Sequence, residues 1–111
     1  CVLIDAGPDM RAQLNAAEVG AVDRVIITHD HADHLHGIDD LRQVAHNRGD
    51  QVPVYGRADL MDRIRDRFGY LFSGNALYPA VLTSHPINAD WTLGDASVRF
   101  VDQPHGRITS L

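Results

Sequence analysis

The stretch Thr28-His29-Asp30-His31-Ala32-Asp33-His34-Leu35-His36-Gly37 decides how this chain is read. It holds four imidazoles and two carboxylates. Before it, Val22 to Thr28 carries Val22, Val25, Ile26 and Ile27, a β-branched, nearly continuous apolar run. Such a run suits a strand buried on both faces, as in an α/β layer fold. After it, Ile38, Leu41, Val44 and Ala45 recur at helical spacing, and Asn47-Arg48-Gly49-Asp50 closes that helix. A turn this dense in nitrogen and oxygen ligands, set between a strand and a helix, suggests a metal centre.

Upstream, Val2-Leu3-Ile4 reads as a short buried strand stopped by Gly7-Pro8, with Asp9 able to cap a helix from Met10. Met10, Leu14, Ala17 and Val19 give that helix a weak stripe, and Gly20 is its expected end. Downstream, Gln51 to Tyr55 is a further strand whose Pro53 suggests an edge or a strand end. Asp59 to Phe68 is the clearest helix: Leu60, Ile64, Phe68 and Leu71 share a face, and Asp62, Arg63, Asp66 and Arg67 fill the solvated one. Ser73-Gly74-Asn75 breaks the pattern. Val81-Leu82-Thr83 is read as a strand, and Trp91-Thr92-Leu93 and Ser97–Val101 as two more around a hairpin turn at Gly94-Asp95-Ala96. Strands alternate with helices first and then follow one another, so the class is mixed α/β (α+β).

The 111 residues make one domain at most, and a hydrophobic fraction of 44% is ordinary for a globular chain. A formal net charge of -5 and no basic stripe argue against long nucleic acid as a partner. One cysteine excludes a disulfide framework and a four-cysteine zinc site, and Cys1 is expected as a small buried strand residue. No apolar run approaches the roughly 18 residues of a membrane span, and no secretory signal is visible, so a cytoplasmic protein with no membrane partner is expected. A homodimer is left open. The start at Cys1-Val2-Leu3-Ile4 and the end at Ile108-Thr109-Ser110-Leu111 both read as strand, the pattern of an internal piece of a longer protein.

Ligands must converge, so spacing matters more than number. His29 and His31 are two apart, and on extended backbone such side chains point the same way. Asp33 and His34 come after a turn and can face the same cavity from the other side, at the start of the next helix. Two ligand sets from one loop are what a pair of neighbouring metals requires; in two-metal hydrolases the ions lie roughly 3.5–4 Å apart and share a nucleophilic hydroxide. Asp30, between two alternating ligands, is expected to point away, to solvent or to a helix cap. His36 is read either as lining or supporting the site or as merely structural. His46 reads as a surface residue and His85 as a structural one.

The string Thr28 to His34 followed by Gly37 resembles the HxHxDH signature of the metallo-β-lactamase superfamily, and Leu3-Ile4-Asp5-Ala6-Gly7 resembles the strand and turn that precede it. Gly7-Pro8-Asp9-Met10-Arg11, His36 to Arg42, Phe68 to Phe72 and His105 to Leu111 look like the branch related to the cyclic-phosphate phosphodiesterase of phosphonate breakdown, the PhnP-like branch. The resemblance implies part of an αββα sandwich, a mixed sheet with flanking helices, with residues 1–111 forming a single partial domain. It implies His29, His31 and His105 on a first metal and Asp33 and His34 at a second, where these last two also serve catalysis. Asp5 becomes a buried carboxylate supporting the ligand loop. Two divalent ions, zinc or manganese, are the implied cofactors. A later bridging Asp and a final His of that pattern have no counterpart before Leu111.

The implied activity is hydrolysis of a small cyclic phosphate or nucleotide diester by a metal-held hydroxide. Hydrolysis of another ester, a thioester or a lactam is the alternative within the class. A non-catalytic or degenerate metal-binding domain is the alternative outside it.

Overall fold

Three successive strand–helix–strand units set the architecture of the computed structural model, which describes residues 1–111. The elements are β1 (Val2–Ile4), α1 (Met10–Ala16), β2 (Arg24–Ile26), α2 (Ala32–Leu35), a 3-10 turn at Ile38–Asp40, α3 (Leu41–Arg48), β3 (Val52–Gly56), α4 (Ala58–Ser73) and β4 (Leu82–Pro86). The four strands form one parallel sheet in the order β1-β2-β3-β4. Strands placed in chain order and joined by right-handed crossovers put every helix on the same face. Two separate antiparallel hairpins follow, β5 (Trp91–Leu93) with β6 (Ala96–Val98), and β7 (Gln103–His105) with β8 (Ile108–Ser110).

Register shows where the core sits. Leu3, Val25 and Val54 stand opposite one another across three strands, as do Val52 and Leu82 across two. That face packs against Met10, Leu35, Ile38, Leu41, Leu60, Ile64 and Leu71 in one continuous cluster. The opposite face carries Val2, Ile4, Arg24, Ile26 and Tyr55. The first hairpin covers part of it: Trp91 meets Tyr55 edge-on at 4.6 Å, and the Arg24 guanidinium lies 5.2 Å from the Trp91 ring centroid.

Several expectations are corrected. β1 is an edge strand with nothing over its second face, so Ile4 is 65% exposed, and Cys1 is exposed just ahead of it, its amino group paired with Asp23. Helix α1 stops at Ala16 rather than near Gly20, because Glu18 takes a left-handed φ of 55° and turns the chain. Asp9 holds the N-cap position without a side-chain hydrogen bond. Pro53 marks no edge, since β3 lies between β2 and β4. It is tolerated because the shared ladder with β2 begins one residue later, at Val54. α4 runs on to Ser73 across a kink at Phe68 (φ -123°, ψ 30°). The strand expected to reach Val101 ends at Val98, and the Phe100 amide donates to Asp90 Oδ1 at 3.1 Å instead.

Candidate metal centre

The histidine loop leaves the sheet at the C-terminal end of β2. Ile27 N–H donates to the Tyr55 carbonyl, and the next amide, of Thr28, donates to Asp5 Oδ1 at 2.7 Å. The β1–α1 turn is laced to the loop: Ala6 N–H donates to the His34 carbonyl at 2.8 Å and Gly37 N–H to the Ala6 carbonyl at 2.7 Å. Both glycines there are required by close approach. A Cβ on Gly37 would lie 2.0 Å from the Gly7 carbonyl oxygen, and one on Gly7 2.3 Å from that of Asp33.

At this crossing His29, His31 and His105 converge, with ring centroids 4.7 to 5.0 Å apart and one nitrogen of each within 4.8 Å of the others. His31 Nδ1 and His105 Nε2 lie 3.3 Å apart. His105 is not in a loop after a strand ending at Val101, as expected, but closes β7. Its hairpin reaches the site because the Leu111 amide donates to the Thr28 carbonyl at 3.1 Å.

Asp5 orders the imidazoles. A carboxylate only accepts, so the three groups around it must donate: Thr28 N–H, Thr28 Oγ1–H (2.9 Å to Oδ2) and His34 Nδ1–H (2.6 Å to Oδ2). With its hydroxyl proton given to Asp5, Thr28 Oγ1 accepts from His29 Nδ1–H at 2.9 Å. Nδ1–H of each imidazole is thereby committed, which leaves Nε2 as the nitrogen available to a metal. His29 Nε2 is buried and has no partner, and His34 Nε2 faces Asp33 Oδ2 at 3.4 Å. Burial, then the neighbouring His34, His31 and His105, push the His29 pKa below the usual histidine range, which keeps its lone pair free.

The residues fit a divalent ion. An orphaned buried acceptor costs roughly 1–3 kcal/mol unless something binds it. Tetrahedral ligands at the usual zinc–nitrogen distance stand about 3.3 Å apart, the spacing of His31 Nδ1 and His105 Nε2. His34 Nε2 and Asp33 Oδ2 have nearly the same spacing, 3.4 Å, and the Asp33 side chain is exposed.

Asp30 and His36 lie outside this convergence. Asp30 points away from the imidazoles, as its alternation with them requires, yet it goes neither to solvent nor to a helix cap. Its carboxylate accepts from Arg63 Nε of α4 at 3.0 Å. Burial alone would raise the Asp30 pKa; the hydrogen bond and charge of Arg63 outweigh it and hold the carboxyl below the usual range. His36 sits on the exposed side against Arg67, its Nε2 2.7 Å from Nη2. His46 is exposed, and His85 stacks on Tyr55. Sequence reading missed Thr28, Arg63 and Arg67 as supports of the loop; the hydroxyl next to the first His was the one available signal.

A family model described as the beta-lactamase superfamily domain matches residues 1–110. The chain belongs to that superfamily. Divalent metal ions are what its metallo-β-lactamase fold implies at such a histidine cluster. Among solved structures of the superfamily fold, a diphosphatase from the PhnP family is similar over 98% of this chain at 29% identity and a TM-score of 0.81. YhfI from Bacillus subtilis, a metallo-beta-lactamase fold protein, is similar over 98% at 23% identity and a TM-score of 0.62, a likeness of fold. A protein of Porphyromonas gingivalis (strain ATCC BAA-308 / W83) named octanoyltransferase is 36% identical over 99% of this chain. The chain spans 41% and 42% of the two solved structures and 23% of the Porphyromonas protein. That last name describes an activity different from hydrolysis, in a protein of which less than a quarter is matched here.

Proposed function

We propose that this chain is the metal-binding part of a single metallo-hydrolase domain whose substrate is a small phosphodiester, a cyclic phosphate or a nucleotide. The observation that carries the proposal is the buried, unpartnered Nε2 of His29 beside His31 and His105, its tautomer set through Thr28 and Asp5. The likeness to the PhnP-family diphosphatase supports a phosphorus centre over a lactam or thioester. The chain's negative balance supports a small substrate over long nucleic acid.

His29, His31 and His105 would hold one divalent ion, zinc or manganese, and Asp33 with His34 would contribute to a second. When bound, such ions supply Lewis-acid polarisation and hydroxide at neutral pH. The chain's own part is to present lone pairs without protons. Asp5 accepts the hydrogen bond of His34 Nδ1–H directly and sets the tautomer of His29 through Thr28, so neither ring has to reorganise before binding. Asp33, exposed beside His34, would serve that second ion from the open side of the site.

The test is turnover of a bis-aryl phosphate by the full-length protein. His31→Ala and Asp33→Ala should abolish it, and Asp5→Asn should lower it by about 10–100-fold. Unchanged turnover in the first two variants would overturn the reading. Metal uptake without turnover of any ester would favour a non-catalytic metal-binding domain instead.

A further inference from the structure

The segment that carries the first two histidines is weakly held by its own backbone. The amides of His29, Asp30 and His31 donate to no backbone carbonyl, and the three residues lie between β2 and α2. Side chains therefore have to fix it. Asp5 and Thr28 do so at its start, and the His31 carbonyl is tied at its end by the amides of His34 and Leu35. The middle is Asp30, and it is gripped from α4.

Arg63 and Arg67 stand one turn apart on α4 and straddle this residue. Arg63 Nε donates to Asp30 Oδ2 at 3.0 Å, and Arg67 Nη1 donates to the Asp30 carbonyl at 3.4 Å. Each guanidinium makes a second contact as well: Arg63 Nη1 donates to Asp59 Oδ2 at 3.0 Å, and Arg67 Nη2 lies 2.7 Å from His36 Nε2. Asp59 is in turn held by Arg57, so the guanidiniums are fixed in a ladder of alternating charge along the helix. Arginines engaged in this way are supports rather than free anion-binding groups. The Asp30 side chain is only 17% exposed, so its pair with Arg63 is more shielded than a surface ion pair.

We infer that Arg63 is a positioning residue of the metal centre: by holding Asp30, with Arg67 on the same residue's carbonyl, it fixes the loop so that His29 and His31 present their nitrogens to one ion. The inference rests on the metal centre proposed above and adds to it a distant support on α4. A guanidinium suits the task because its rigid fork binds Asp30 and Asp59 together, which a lysine ammonium does less well.

The test measures zinc affinity of the full-length protein by competition with a chromophoric chelator, alongside thermal unfolding of the metal-free form. Arg63→Gln and Asp30→Asn should each weaken zinc binding by about 10–100-fold, and Arg63→Lys by less. The Arg63→Gln, Asp30→Asn double variant should be no weaker than the weaker single one, since both remove one interaction. Zinc affinity within twofold of the parent in both single variants, with only the unfolding temperature lowered, would make the pair merely structural and overturn the inference. Losses that add in the double variant would overturn it too. A parent protein that takes up no zinc or manganese would instead overturn the metal centre itself, and the clamp with it.

Discussion

Asp5 occupies a left-handed backbone conformation, φ 62°, that L-residues other than Asn and Asp rarely adopt. Strain of this kind persists where the surroundings over-determine it, and here its carboxylate collects Thr28 and His34. The alternation of His29 and His31 was legible from spacing alone. The strain at Asp5 was not, because it depends on partners 23 and 29 residues away. At the same scale, His29 gives a pH dependence. Its folded pKa lies below the unfolded value of about 6.5, so the unfolded chain takes up the proton first as pH falls. The stability that neutral His29 contributes is present above about pH 6.5 and is lost as pH drops through the folded value. Metal-free full-length protein should therefore show a urea midpoint that falls from pH 7.5 to pH 5.5, and His29→Gln a shallower fall. Equal slopes would contradict this account of the buried ring.

Among the elements, those with a strong period were the readable ones. The stripe Leu60, Ile64 and Leu71 does face the core, and β2 does precede the ligand loop. What could not be read was how the β1–α1 turn crosses α2, because that contact joins residues 6 and 7 to residues 33 to 37. Gly7 was legible only as a strand stop, whereas its role is to let the Asp33 carbonyl approach. Gly37→Ala would force a methyl against the Gly7 carbonyl, and overpacking of this kind costs about 1–3 kcal/mol. Denaturant unfolding of the metal-free full-length protein should show that loss. Gly20→Ala, with open space around its Cβ position, should show none. Equal midpoints for the two variants would mean that the crossing yields more easily than its geometry implies.

For the whole molecule, the helices cover one face of a parallel sheet and leave Ile4 and Val2 bare on the other. Alternation of strands and helices was enough to read the α/β class. It was not enough to place β1 at an edge, because strand order depends on non-local pairing. His105 joins the site from the last hairpin, 74 residues from His31, so the centre is assembled by the fold as a whole. No helix is long and apolar enough to cross a membrane. The central claim is that this assembly holds divalent metal, and elemental analysis of the full-length protein purified without chelator tests it most directly. The account predicts about two equivalents of zinc or manganese per chain, falling below half of that in His31→Ala. A protein that carries neither metal, or a His31→Ala variant that retains the parent's full content, would contradict it.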